Sequence, residues 1–465
     1  MNKYLTLVNK EHKIKDNYLK NIKLVPIKLY DKTPSEVEEK TYEFYQLLKQ
    51  ELKEEQIEVA LDSAYRSIET QQLLKEEFIN KYGPEYTKNY VAEPKTSEHH
   101  TGLALDLTLK IKNHYIDNND ELMRQDKIFK KIHKLLPKYG FILRFPKGKE
   151  SLTGHPYEPW HIRYVGKIPA QIMAKEDLCL EEYLTTYSTV LYINKEEKKT
   201  SFDIVKELSE ILGIKKIGHT GTLDPLATGV LVVTVGEACK IAELLTAEDK
   251  EYIAGVLLGI KTDTLDITGN VIASKPVDLE KDIEKVVSSY QKTYLQTVPI
   301  YSAVKVKGKK LYEYARSNKE VELPKKEVTI KKIKVLTTDN DTFMIKALVS
   351  KGCYIRSLIN DIGESLDTYA TMTTLERTKQ GKVKITETNT MDEIRQGNIH
   401  FHNIEEVLDY PVITVEEPLA RKIKNGMKLK NTYQVKDKVI FKTKDKLLGI
   451  YQKDGDILKV WKNFR

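Results

Sequence analysis

The stretch GHTGTLDPLATG at 218–229 restricts the possible folds more than any other part of the chain. It sets one acid, Asp224, among three glycines and a proline, and the run VLVVTV at 230–235 follows at once. A run that short, apolar and β-branched reads as a buried strand, so the stretch is a tight loop feeding the core of a sheet. Gly221 and Gly229 permit backbone conformations or close approaches that a side chain would block. Pro225 pushes Asp224 out of the helical region. A carboxylate held by stiff backbone can serve as nucleophile or base, although an isolated Asp-Pro is most often only a turn.

At 465 residues the chain is too long for one ordinary core, and two or three domains are expected. Three cysteines, Cys179, Cys239 and Cys353, are far apart and odd in number, which excludes a disulfide framework and a CxxC metal knuckle. The first ten residues lack the apolar segment of a signal peptide, and no apolar run is long enough to span a membrane. A cytoplasmic protein with no membrane segment is expected. Residues 411–465 hold 14 Lys/Arg and 6 Asp/Glu, and their net of +8 equals the formal charge of the whole chain. A basic terminal module beside a neutral body points to a polyanionic partner, with a merely solubilising face as the alternative.

Ahead of the Asp224 loop, apolar positions at helical spacing predict a helix over 35–55, with Val37, Tyr42, Tyr45, Leu48 and Leu52 on its inner face. A strand over 57–62 then delivers Arg66, and a second helix starts near Glu69. SEHHTGLALD at 97–106 places His99 and Asp106 seven residues apart, and EPWH at 158–161 adds Glu158 and His161. Two histidines and one carboxylate form a common catalytic zinc set with a fourth position left for water. Glu158 is placed to take a proton from that water, and Arg66 to hold a carboxylate or a developing oxyanion. Each residue alone is weak evidence, since a lone histidine is usually packed or superficial.

Together these residues resemble the VanY-type D-alanyl-D-alanine carboxypeptidases, whose signatures are SxHxxGxAxD and ExWH. YGFILRFP at 139–146, TG at 153–154, RYVG at 163–166 and LEEYL at 180–184 extend the match. The resemblance implies that His99, Asp106 and His161 bind zinc, that Glu158 is the base and that Arg66 is an electrostatic stabiliser. Ser97 and Gln71 fall where the family places substrate contacts, and the implied partner is a peptidoglycan precursor or another D-Ala-terminated peptide. His100 stands where a glutamine is frequent.

From about Val190 the chain resembles the bacterial tRNA pseudouridine synthase B (TruB) family, whose fingerprint is GHxGTLDPxATGxL. KEY at 250–252, YSAVK at 301–305, LYE at 311–313, SKGCYIRS at 350–357 and Leu375 before Arg377 match in order. Making pseudouridine requires a carboxylate, a stacking aromatic for a base extruded from an RNA loop, and a cationic rim, with no metal or other cofactor. The resemblance implies Asp224 as that carboxylate, Tyr252 as the stacking ring and Arg356 as the partner that keeps Asp224 ionised and aimed. His219, Tyr354 and Leu375 fall at positions that contact the target nucleotide. The implied substrate is the T arm of tRNA, at uridine 55. Glu196 and Lys198 replace a usual proline and glycine, and Glu376 replaces a frequent arginine.

The strand and helix pattern continues with a strand over 191–195 and a helix over 202–211. That helix is capped by Thr200 or Ser201, stopped by Gly213 and apolar at Phe202, Val205, Leu208 and Ile211 or Leu212. Runs at 435–441, 447–451 and 457–461 predict a small β module like the PUA tail of that family. The expected fold is therefore α+β and multidomain. It comprises a zinc-peptidase α+β domain over 1–184, a pseudouridine-synthase mixed-sheet α/β catalytic domain over 190–410, and a basic β, PUA-like RNA-binding module over 411–465. The competing expectation is an RNA-binding or tRNA-folding module with the peptidase as the main activity.

Overall fold

A computed structural model of the chain describes every residue except 1, 86, 88–90, 318, 445 and 465. It divides into two compact units, residues 1–187 with 208–215, and residues 188–207 with 216–465. Among the described residues no helix is long and apolar enough to cross a membrane.

The first unit is built on an antiparallel sheet in the order Val59–Ser63, Ala104–Ile111, His161–Tyr164, Phe141–Leu143. Leu105, Leu107 and Leu109 of the second strand are buried with Tyr45, Leu48 and Leu52 of helix Glu39–Glu54 and with Phe129 and Ile132 of helix Asp126–Leu135. Because side chains alternate across a strand, burying those leucines on one face turns Asp106 to the other. Asp106 lies directly opposite His161 on the neighbouring strand, so the two share that face. The helix predicted over 35–55 starts only at Glu39. Val37 belongs instead to the strand Pro34–Glu38, which pairs with Leu24–Lys28. The Glu38 carboxylate accepts the Thr41 amide at 2.8 Å and so caps the helix where it begins.

The second unit carries a mixed nine-stranded sheet. Its main path runs Thr293–Thr297, Lys325–Asp339, Thr342–Val349, Lys250–Leu258, Ala370–Gln380, Thr228–Val235, Thr189–Lys195. Thr228–Val235 runs parallel to Ala370–Gln380 and antiparallel to Thr189–Lys195. The run at 230–235 is thus the buried strand that its composition predicts. Helix Ser201–Leu212, which belongs to this unit as far as Glu207 and to the first from Leu208, is capped reciprocally, with the Asp203 amide donating to Thr200 Oγ1 and the Thr200 amide to Asp203 Oδ2, and Gly213 ends it at φ +68. Its buried stripe is Ile204, Leu208 and Leu212, while Phe202, expected on the apolar face, is 69% exposed. The i, i+4 row is what packs, and Phe202 lies outside it.

The last part of this unit is a five-stranded sheet, Val412–Thr414, Lys438–Lys442, Leu447–Asp454, Ile457–Asn463, Leu429–Lys430. One side has its own core around Val439, Phe441 and Leu458. Ile440, Ile450 and Phe464 pack with Val190, Val230 and Val232 of the large sheet.

Candidate functional site

Among the described residues, both units bring chemistry-bearing side chains together. In the first, His99 sits in the buried turn Glu98–Thr101, with Nδ1 at 2.6 Å from the Ala64 carbonyl. A carbonyl only accepts, so Nδ1 carries the proton and the Nε2 lone pair is free to face Asp106 Oδ2 at 3.1 Å. His161 Nδ1 lies 2.8 Å from Asp106 Oδ1 and 3.8 Å from Glu158 Oε2. One ligating atom from each of His99, Asp106 and His161 falls within 4.8 Å of the others. Burial opposes charge on Asp106, yet the two imidazoles hold its carboxyl far below the ordinary range. Burial likewise opposes a charged His161, but Asp106 pulls it up to about 10. Two imidazole nitrogens and an ionised carboxylate converging on one point fit a divalent cation with an open position.

Arg66 donates from Nη1 to Gln71 Oε1 and from Nη2 to Ser63 Oγ, each at 3.0 Å. Gln71 is only 1% exposed, and its amide also donates to the Ala92 carbonyl at 2.8 Å. Gln71 thus ties the Arg66 guanidinium to the Ala92 carbonyl. Ser97 is buried at the head of the His99 turn. His100 is tied by Nδ1 to the Arg66 carbonyl and by Nε2 to the Lys95 amide, which leaves no ring nitrogen for a ligand.

In the second unit the loop carrying Asp224 is fastened along its length. Arg377, itself buried, donates to the Gly221 carbonyl at 3.0 Å and the Val230 carbonyl at 2.6 Å. Gln380 donates to Thr220, and Ser201 Oγ accepts the Leu223 amide at 2.9 Å. Gly229 adopts φ +96 where a Cβ would meet the Arg377 carbonyl at 2.3 Å, so the close parallel pairing at that point requires glycine. Lys198 takes φ +69 in the position where the sequence lacks the usual glycine, and its amide reaches the Pro225 carbonyl at 2.8 Å. The loop keeps a left-handed turn there despite the side chain. Lys195 is buried with its ammonium on the carbonyls of Glu196 and Lys199 at 2.8 and 2.7 Å, and burial pushes it down to about 8.

Arg356 extends from the first turn of helix Ile355–Ser365 and meets four acceptors. Its Nη2 is 2.9 Å from Asp224 Oδ2 and donates to the Tyr301 carbonyl at 3.1 Å. Its Nη1 donates to the Thr264 carbonyl at 3.0 Å and lies 3.5 Å from Asp266 Oδ2. Burial pushes the Asp224 carboxyl up from the ordinary range, and Arg356 is the strongest influence in the other direction. Sequence reasoning passed over Asp266. It is buried, accepts the Thr268 amide and Thr264 Oγ1, each at 3.0 Å, and follows Leu265, a bulky residue at φ +62. A branched residue in the left-handed region is costly and marks functional turns. The crowding of Thr262, Asp263, Thr264, Asp266 and Thr268 was the signal available in the sequence.

Tyr252 lies opposite Arg377 on the adjacent strand, and Leu375 lies opposite Ala254, so Tyr252 and Leu375 share one face of the sheet. Both are largely buried. Tyr354 caps the Arg356 helix, and burial raises its hydroxyl. His219 is half-buried on the strand Ile217–His219, and burial lowers its ring.

Residues 209–355 match the TruB family pseudouridylate synthase N-terminal domain, and residues 356–420 match the tRNA pseudouridylate synthase B C-terminal domain. Residues 34–167 match the D-alanyl-D-alanine carboxypeptidase family VanY. The chain is 40% identical over 255 residues to tRNA pseudouridine synthase B of Caldanaerobacter subterraneus, covering 54% of this chain and 89% of that protein. Bacillus cereus has a tRNA pseudouridine synthase B that is 41% identical, with 57% and 92% covered. Among solved structures, the LdcB LD-carboxypeptidase is 35% identical, with 38% of this chain and 83% of that one covered and a TM-score of 0.34.

Proposed function

The chain belongs to the TruB family of pseudouridylate synthases and carries ahead of that part a carboxypeptidase domain of the VanY family, and from this premise we propose that it converts uridine 55 in the T loop of tRNA to pseudouridine and, at a separate zinc site, removes a C-terminal D-alanine from a peptide.

The observation that carries the first reading is the placement of Arg356 between Asp224 and Asp266, with Tyr252 and Leu375 on one face of the neighbouring strands. In this reading the target uridine is flipped from its loop, Tyr252 and Leu375 bracket the base, and Tyr354 and His219 contact the nucleotide. Asp224 starts cleavage of the C–N glycosidic bond, and Arg356 aims it and offsets its desolvation. Exposed Arg421, Lys422, Lys424, Lys428 and Lys430 of the terminal module track the tRNA phosphates. The test is Asp224→Asn, with pseudouridine read by mass spectrometry on a tRNA transcript. Retained binding without product supports the assignment, and equal product in the variant rejects it.

The peptidase reading rests on the convergence of His99, Asp106 and His161. Zinc held there would supply Lewis acidity to the scissile carbonyl and to a water. Glu158, 3.8 Å from His161, takes the proton and returns it to the leaving amine. Arg66, stiffened by Gln71 and Ser63, pairs with the developing charge or the peptide carboxylate, and Ser97 contacts the substrate. Release of D-Ala from a D-Ala-D-Ala peptide, abolished by a chelator and restored by zinc, is the test.

A further inference from the structure

Four charged residues stand next to the His99, Asp106 and His161 cluster and take no part in the chemistry above. Glu98, Arg144 and Arg163 are buried, the two arginines completely, and Glu181 closes the set at its edge. Arg144 Nε donates to Glu98 Oε1 at 2.7 Å, and Arg163 Nη1 forms an ion pair with the same oxygen at 2.8 Å. The remaining groups of Arg144 donate to Glu181 at 3.0 and 2.6 Å, and Arg163 donates further to the carbonyls of Tyr4, Thr6 and Tyr164. Two carboxylates balance two guanidiniums, which is what makes the burial of all four tolerable.

This arrangement commits Glu98 Oε1 to the arginines and leaves Oε2 over. Oε2 is buried without a hydrogen-bond partner, and so is His161 Nε2. The two orphans face each other at 3.8 Å. Leaving a buried polar group unpaired is costly, so two such atoms pointing at each other are a bond waiting on a small shift of the ring. Phe145 tilts against His161 at 4.8 Å and the His99 ring meets it edge-on at 5.0 Å, so the imidazole has few other places to go.

A histidine that binds a metal through one nitrogen is set in the right tautomer by what its other nitrogen donates to. We propose that Glu98 is the positioning residue of this site: its Oε2 takes the Nε2–H of His161 and thereby holds the ring as the tautomer whose Nδ1 lone pair faces Asp106 and the cation. The arginines aim Glu98, and Glu181 anchors Arg144. This gives a role to the sequence matches at Arg144, Arg163 and Glu181. The inference rests on the reading of His161 as a zinc ligand.

Glu98→Gln in the full-length chain separates the possibilities. A glutamine offers one acceptor and one donor, and the charged arginines claim the acceptor. Its NH2 group then faces His161 Nε2 and favours the opposite tautomer. Zinc affinity, measured by competition with a chromophoric chelator, is expected to fall about 10- to 100-fold. Glu181→Gln loosens the same buried quartet without touching His161, and is expected to keep affinity within about threefold while lowering the melting temperature. The 15N shifts of the His161 ring in the zinc-loaded wild type are expected to show Nδ1 bound to metal and Nε2 protonated. Pseudouridine formation by the same samples and the melting temperature of each report folding. Wild-type affinity in Glu98→Gln, an equal loss in Glu181→Gln, or ligation through Nε2 would each overturn the role of Glu98 while leaving the zinc site standing. A wild-type chain that binds no zinc, or binds it equally after His99→Ala, overturns both.

Discussion

Replacing Arg356 by methionine tests how the synthase cluster is wired. The guanidinium is buried, Asp224 is 2.9 Å from it on one side and Asp266 3.5 Å on the other. At that distance and an effective dielectric of about 20, the attraction to Asp224 is roughly 6 kcal/mol before screening. The Asp224 side chain is 37% exposed, so water takes much of this, and we retain about a third, ~2 kcal/mol. Arg356 lowers the Asp224 carboxyl, so its removal raises it, and the ionised fraction at any given acidic pH falls. The acid limb of kcat/KM is therefore expected to move up in pH. Removing one partner of a buried pair also leaves Asp266 uncompensated, at a cost of about 3–5 kcal/mol of stability. The assay follows the hydrogen released from C5 when uracil rejoins the sugar through that carbon, using tritium-labelled tRNA across pH, beside a denaturant melt. A folded Arg356→Met chain whose acid limb stays in place would refute the electrostatic reasoning. Arg356→Lys is expected to recover the limb only in part, because a single ammonium cannot meet four acceptors that a planar fork reaches.

Asp266→Asn should shift the same limb the opposite way, since Asp266 is a like charge that raises Asp224; a limb that moves up speaks against this. Chelation of the full chain should remove D-Ala release and leave tRNA modification at its untreated rate, because the His99 and Asp224 clusters lie in different units; joint loss in the two assays would contradict independent sites. Substituting glutamine for Lys422, Lys424 and Lys428 should raise the tRNA Michaelis constant several-fold and leave kcat near wild type. The salt dependence of binding should flatten by about one unit of slope for each phosphate that is no longer neutralised, and an unchanged slope would mean that other cations meet the phosphates. Lys198→Gly should stabilise the second unit by up to about 1 kcal/mol in a thermal melt, because φ +69 costs a lysine what it does not cost a glycine; a destabilised variant would mean the lysine side chain matters more than the turn.

Truncating residues 411–465 is a less clean test of the basic module than the charge substitutions. Ile440, Ile450 and Phe464 form part of the core around Val190 and Val230, so deletion would strip a face of the catalytic sheet as well as remove lysines. Composition marks the module as basic and strand-rich, but no periodicity in 435–461 says which of its faces is covered.

The features legible from the residues alone were local and chemical. The strand after Gly229, the turn that holds Asp224 and the alternation that turns Asp106 away from its leucine neighbours follow from steric rules acting over a few residues. Which distant groups meet was settled only when the chain packed. Asp266 reaches Arg356 from 90 residues away, and Glu98 is placed between two arginines 46 and 65 residues further on, although each looks in the sequence like one more surface acid. Val37 leaves its helix for a strand and Phe202 turns outward, because packing chooses among conformations that local propensity leaves nearly equal. Charge pairing in a low-dielectric interior is a property of three-dimensional neighbours, and a linear pattern does not contain it until the backbone has closed.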